Sequence, residues 1–463
     1  MSANRLPADL LARLAAVVGA EDLYTDPADR WPYGYDNSRR HSLPDAVAFP
    51  ASHTEVLAAV KLCNEFKVPL TARGLGSSTT GSAVPVAGGL VLALERMNRI
   101  IRLDAGNRAL ITEVGATNAA VQEAAAREGF FWPPDPTSAG YSTVGGNLAC
   151  GAGGPHAVKY GTTRDNVLGL RAVLGSGQEL AAGVYTTKGA MGYDFTRLLI
   201  GSEGTLAVIT EATLKLTPRP EAVRTLRAVY ADMTTAAAAV SRIMAQPVTP
   251  CVLEFIDRAS IGMIRGYAGN DLPESAGAML LIEVDGRPAE LDAAAAAVEQ
   301  AALGEGCVEF RAARDDRESA ALWTSRKALS PALRKIAPKK INEDVVVPVS
   351  RMADFIGRLE QLSKQYGIPI VNFGHAGNGN IHVNLLVDPD DKAQMQNAEP
   401  CLKEVFQTVL SMQGTLSGEH GVGLEKRPFM GLEFDAPTLE LMRKIKQEFD
   451  PNGILNPGKL LPD

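Results

Sequence analysis

Six histidines occur in the chain, and two of them flank one turn, Phe373-Gly374-His375-Ala376-Gly377-Asn378-Gly379-Asn380-Ile381-His382. Asn-Gly is the strongest two-residue hairpin signal, because both turn positions accept positive φ. With Asn378-Gly379 as the turn, His375 stands directly opposite His382 on one face, Cβ atoms about 4.5–5.5 Å apart. Two imidazoles at that spacing can share a divalent cation; they can equally be buried, hydrogen-bonded histidines. In Ser417-Gly418-Glu419-His420-Gly421, an acid and an imidazole sit between glycines that permit unusual backbone angles. That motif is either a polar surface turn or the source of a third ligand. A set of His375, His382 and Glu419 leaves one coordination position open, the mark of a catalytic metal. Zn²⁺ is the default ion and Mn²⁺ the alternative. His420 is then left to act as a base beside the ion, with an imidazole suited to neutral pH. Taken alone, this set suggests a metal-dependent hydrolase.

The glycines form a second constellation. Residues 73–81 read Arg-Gly-Leu-Gly-Ser-Ser-Thr-Thr-Gly, with Gly74 and Gly76 just after an expected strand. A dinucleotide fingerprint would need a third glycine at 79 and a following helix. Thr79 and the run through Pro85 supply neither. Arg73, Gly74, Gly76, Ser77, Ser78 and Gly81 instead suit a nest of backbone N–H groups and hydroxyls around an anion such as a pyrophosphate, or else a surface loop. Further patches are Pro134-Asp135-Pro136 through Ser138, Thr143-Val144-Gly145-Gly146-Asn147 through Ala149 to Gly153-Gly154, and Glu203-Gly204 through Ile209. Three separated patches suit a long ligand threaded along backbone, and a dinucleotide has that length.

These motifs need elements to hold them. Residues 7–19 suit an amphipathic helix, and 46–72 read strand, helix, strand. Residues 117–129 suit a helix closed by Gly129, and 130–165 read as turn chemistry throughout. After Pro218 and Pro220 the pattern becomes strand, helix, strand, strand, helix, strand, a ferredoxin-like order. The expected organisation is α+β: residues 1–220, a second domain at 221–410, and a tail at 411–463 that packs back on the first. With 463 residues, two to three domains are expected. A net charge of −7 disfavours nucleic-acid and anionic-membrane partners. No run of about 18 apolar residues predicts a spanning helix. The absence of a signal-like N-terminus, with five widely spaced cysteines, leads to the expectation of reduced thiols in the cytoplasm. His41, His53 and His156 are expected to be structural.

The loop 73–81, the segment PPDPTSAGYSTVGGNLACGAGG, the KYG at 159–161 and GSEGTLAVITE resemble the FAD-binding domain of the vanillyl-alcohol oxidase/PCMH flavoprotein superfamily over about residues 44–220. That resemblance implies a PCMH-type fold with loop 73–81 on the pyrophosphate. Pro134 to Gly154 and Glu203 to Ile209 would line the rest of the FAD. Two motifs depart slightly, with Gly151 where many relatives have Asn and Ala207 where they have Gly. Loop 73–81 holds no His or Cys, so non-covalent FAD is expected. GHAGNGNIH, SGEHGVG and FDPNGILNPGK are similar to the FAD-linked D-2-hydroxyacid dehydrogenases. This second resemblance implies His375, His382 and Glu419 as metal ligands, His420 as the base and Asn456 as a flavin contact. Through it Arg326, Ser330 and Lys340 become the substrate-binding candidates, a cation being the usual device for holding a carboxylate. It implies oxidation of a D-2-hydroxy acid, D-lactate first, then glycolate or D-2-hydroxyglutarate. Electrons would leave to a quinone, an electron-transfer flavoprotein or a cytochrome. A homodimer, and service as the flavin subunit of a larger oxidase, are open alternatives.

Overall fold

The computed structural model describes residues 6–265, 272–336 and 339–462 and divides the chain into two compact units. The first comprises residues 1–154, 161–219 and 419–463; the second comprises 155–160 and 220–418.

In the first unit, strands Ala46–Ala48, Leu90–Ala93 and Leu70–Arg73 run parallel, with the short Leu23–Tyr24 antiparallel at one edge. Helix His53–Phe66 makes the crossover. It begins where the Ser52 hydroxyl accepts from the Glu55 amide, and the Glu55 carboxylate takes the Ala51 amide in return. It stops at Lys67, which adopts φ 52°. A five-stranded antiparallel sheet follows, in the order Ile100–Asp104, Ala109–Glu113, Ala207–Lys215, Val167–Leu174, Glu179–Gly183. Aliphatic side chains from both sheets and helix Ala8–Val18 share one core with Trp132, whose indole N–H donates to the Asn166 carbonyl at 2.9 Å. The C-terminal tail returns to this unit. The Leu70 amide donates to the Ile454 carbonyl, and the Asn456 amide to the Leu70 carbonyl, both at 2.8 Å.

Turn chemistry does not run unbroken from 130 to 165, because Val144–Cys150 is a helix. Thr143 caps it, its hydroxyl accepting from the Gly146 amide at 3.1 Å. The glycines that disguise this helix answer to packing. A Cβ on Gly145 would lie 2.9 Å from the Val114 side chain.

The second unit carries one seven-stranded, wholly antiparallel sheet. Its order is Cys307–Ala312, Ala222–Tyr230, Ala278–Gly286, Val252–Asp257, Ile370–His375, Asn380–Val387, Lys339–Val346. The first four strands, with helices Met233–Ala245 and Pro288–Ala302, form the expected ferredoxin-like set. The histidine hairpin and strand Lys339–Val346 extend it past Val252–Asp257 instead of standing apart. Residues 412–418 stay with this unit, because Thr415 and Val346 exchange backbone hydrogen bonds at 2.9 and 3.0 Å, so the tail begins at Glu419 rather than 411. Residues 155–160 also belong here: Lys159 pairs with Asp285, and the Tyr160 hydroxyl donates to the same carboxylate at 2.6 Å. No helix among the described residues is long and apolar enough to cross a membrane.

Candidate active site

The hairpin turns one residue earlier than its Asn-Gly signal predicts. Ala376–Asn378 form a 3₁₀ turn, and Gly379 takes φ 69°, closing a four-residue loop. His375 therefore faces Asn380, and His382 faces Phe373. The offset is two residues, so both histidines stay on one face, diagonal to each other with ring centroids 5.3 Å apart. Gly379 is required there, since a Cβ would sit 1.9 Å from the Val347 carbonyl oxygen.

Direct cross-strand pairs share a face. Glu254 pairs with His375, and Asp344 with His382. One face of the sheet thus carries Glu254, His375, His382 and Asp344, all buried. The other presents Phe255, Gly374, Ile381 and Val383 to the interior. Gly418 is held on this polar stripe: its amide approaches the Asp344 carbonyl at 2.8 Å and the Asp344 carboxylate at 2.9 Å. Glu419 is the next residue. One ligand atom each from His375, His382 and Glu419 lie within 4.8 Å of one another. Two imidazoles and a carboxylate at that spacing suit Zn²⁺ or a similar divalent ion. His420 follows, half-buried.

Glu254 was not singled out by motif, although a lone acid in the apolar strand Val252–Asp257 is a readable signal. It is 0% exposed. One carboxylate oxygen accepts from His375 Nδ1, and the other from Arg326 Nε at 2.7 Å. Burial pushes this acid up, but the His375 and Arg326 contacts outweigh it and hold it at about 2. Helix Asp316–Ile336 delivers Arg326, which lies 4.7 Å over the Phe373 ring. Leu329 and Leu333 of the same helix pack with Phe373 and Val371 on that face. Of the other substrate candidates, Ser330 lies in this helix with its side chain outside the described residues. Lys340 is exposed and four residues from Asp344 along its strand, about 13 Å.

The predicted flavin residues gather in the first unit. The Glu203 amide donates to the Ala149 carbonyl at 2.9 Å, which ties the 201–205 turn to helix Val144–Cys150. Loop 74–82 abuts the start of that helix, where a Cβ on Gly74 would lie 2.3 Å from the Thr143 hydroxyl. A Cβ on Gly154 would lie 2.4 Å from the Asp135 carboxylate, and the Asp135 amide donates to the Gly153 carbonyl at 3.1 Å. Among the described residues no hydrogen bond engages the backbone N–H groups of Leu75, Gly76, Ser77 and Ser78. Free amides beside close-packed glycines fit a bound pyrophosphate.

Several predicted contacts are braces here. Arg73 is buried, giving Nη1 to the Tyr35 carbonyl at 2.7 Å. Ser78 is tied to Thr80 and Ser82 through hydroxyls. Asn147 bonds Asn118 and Ser142. Asn456 spends its amide donors on the Ser82 carbonyl at 2.9 Å and the Glu203 carbonyl at 2.7 Å, and so joins the tail to two flavin patches. The buried Glu203 carboxylate accepts from the Val422 and Gly423 amides at 2.5 and 2.8 Å, yet burial still pushes its pKa up to about 7.

His156 also has company, near Cys251 and Glu283 within the same 4.8 Å limit. One Glu283 oxygen there already accepts from Thr225 and Trp323, each at 2.7 Å. Burial raises the Cys251 thiol far above its usual range.

A two-unit α+β protein with a glycine-lined cradle and a histidine-carboxylate cluster suits flavin chemistry, and this chain is an FAD-dependent oxidoreductase. It belongs to the FAD-linked oxidases: a family model described as "FAD binding domain" matches residues 44–183, and "FAD linked oxidases, C-terminal domain" matches 219–460. The Bacillus subtilis protein named glycolate oxidase subunit GlcD is 38% identical over 98% of this chain and 96% of its own length. A D-2-hydroxyglutarate dehydrogenase from Xanthomonas citri pv. viticola is 36% identical over 96% of each. The mitochondrial cytochrome-type D-lactate dehydrogenase of Arabidopsis thaliana is 33% identical over 99% of this chain and 81% of its own. Among solved structures, p-cresol methylhydroxylase with substrate bound superposes with a TM-score of 0.79 at 16% identity, over 97% of this chain and 96% of its own, a likeness of fold.

Proposed function

We propose that this protein oxidises a D-2-hydroxy acid, D-lactate first among candidates, to the 2-oxo acid, and passes the electrons to an acceptor other than oxygen. The observation that carries the reading is the buried polar stripe of Glu254, His375 and His382, with Glu419 beside the histidines, in a chain of the FAD-linked oxidase family. The family membership favours this over hydrolysis by the same ligands.

Bound FAD supplies the two-electron acceptor for the Cα hydride, and a divalent ion on His375, His382 and Glu419 supplies a Lewis acid for the hydroxyl oxygen. The chain's own residues do the rest. His420 takes the hydroxyl proton as the carbonyl forms. Arg326 offers its two terminal nitrogens to the substrate carboxylate, because among the described residues its hydrogen bond is made through Nε, to Glu254. Loop 74–82 holds the dinucleotide through the backbone N–H groups of residues 75–78, and the 201–205 turn packs beside it. Quinone, electron-transfer flavoprotein and cytochrome are the proposed acceptors, and the cytoplasm the proposed compartment. A subunit role is a second reading, favoured by the 38% identity to a protein named as a subunit.

The test is anaerobic titration of the purified protein with D- and L-2-hydroxy acids. One D-acid should bleach the flavin bands. His420→Ala should retain flavin and metal and lose the bleaching. An unchanged reduction rate in that variant removes His420 from the mechanism, and a protein inert alone but active with partners supports the subunit reading.

A further inference from the structure

Two sites meet at Glu254. Its carboxylate is fully buried and has two oxygens, one on the Nδ1 of a metal-ligand histidine and the other on the Nε of the arginine assigned to the substrate. We propose that Glu254 is the positioning residue that couples the metal centre to the substrate-binding arginine. It does so by locking His375 with its proton on Nδ1 and by orienting the Arg326 guanidinium edge-on. The assignment rests on the proposed metal site.

The geometry makes the case in three steps. An imidazole that donates from Nδ1 presents only Nε2 as a lone pair, so the carboxylate sets which nitrogen can ligate. Nε of Arg326 is the one guanidinium nitrogen that, when held, leaves both terminal nitrogens side by side for a bidentate carboxylate. The Phe373 ring, 4.7 Å below Cζ, limits the plane's remaining freedom. Both acceptor functions need a carboxylate. An amide at 254 has one oxygen and one NH₂, and the NH₂ would face a donor on whichever side it took. Aspartate keeps both oxygens but is one methylene too short to reach both partners.

The experiment uses the flavin-loaded, full-length protein and zinc as the probe. Zinc affinity is measured by competition with a chromophoric chelator for the wild type, Glu254→Gln and Glu254→Asp. KM and kcat for the best 2-hydroxy acid are measured alongside. Glu254→Gln should keep one flavin per chain and the wild-type visible spectrum. It should weaken zinc by about 10–100-fold and raise KM by a factor of about ten or more, while Glu254→Asp falls between. A residue that only supported the fold would lower thermal stability without moving zinc affinity in the folded variant. If Glu254→Gln does not fold, Glu254→Asp carries the test on the same two readouts. Wild-type zinc affinity and KM in a folded variant overturn the coupling. A wild type that binds no divalent ion overturns the metal-site reading and the coupling with it, whereas zinc bound equally by wild type and variant overturns the coupling alone.

Discussion

Gly74, in the glycine-lined cradle, stands where the structure leaves little room for a side chain. A Cβ there would sit 2.3 Å from Thr143 Oγ1, but 3.4 Å from Thr143 Cβ and Cγ2, so the conflict is with one oxygen. That oxygen also caps helix Val144–Cys150 through the Gly146 amide. In Gly74→Ala the threonine must rotate away. The cost is about 1 kcal/mol for the lost cap plus about 2 kcal/mol for overpacking. The restricted unfolded chain offsets about 0.5–1 kcal/mol of this, for a net destabilisation of about 2–2.5 kcal/mol. Thr143→Ala alone should cost about 1 kcal/mol as a lost cap. In the double variant the oxygen is gone and the new Cβ meets its neighbour at ordinary contact distance. The double should therefore cost about 1 kcal/mol or less, not the sum of about 3 kcal/mol, a coupling of about 2 kcal/mol. Urea denaturation of the four proteins, followed by intrinsic tryptophan fluorescence to which Trp31 and Trp132 of the first unit contribute, measures the cycle; flavin content reports the cradle. Flavin per chain should fall most in Gly74→Ala and partly recover in the double. Additive costs, or a Gly74→Ala protein within about 0.5 kcal/mol of wild type, would refute the close-packing argument.

Burial raises Glu203 to about 7, against an ordinary value of 4.5, so the native protein binds more protons than the unfolded chain between those values. Its contribution to stability is full below the ordinary value and is lost as pH rises to about 7. Glu203→Gln should flatten that slope, whatever its overall stability, and chemical denaturation across pH 4–8 reads it. His382→Ala should lower metal content from one ion per chain to none while flavin stays bound. His156→Ala should leave metal content unchanged, because Glu283 is already engaged and the Cys251 thiol stays protonated; plasma emission analysis counts both. Arg326→Lys keeps a charge but loses the fork, so KM for the 2-hydroxy acid should rise about tenfold or more with a smaller change in kcat, read by steady-state kinetics.

Local chemistry was legible in the sequence wherever short-range physics decides it. The ferredoxin-like strand and helix order follows from alternating apolar patterns. The shared face of His375 and His382 follows from strand periodicity, and shifting the turn by a whole pair preserves it. The exact register did not follow, because a 3₁₀ turn with Gly379 at positive φ competes with the two-residue loop, and the Val347 carbonyl pressed against Gly379 admits no side chain there. Helix Val144–Cys150 was hidden for a related reason: its glycines report close approach to Val114 and Thr143, which propensity reads as turns. Glu254 lies 121 residues from His375 and 72 from Arg326 in the chain. Only the sheet order, which places Val252–Asp257 beside Ile370–His375, and the helix that packs Arg326 onto that face bring the three together. Sequence thus determined which residues could bind a nucleotide, a metal and an acid. Tertiary structure decided which carboxylate sets the histidine's proton and which backbone amides are left free, because burial and long-range strand pairing have no local signature.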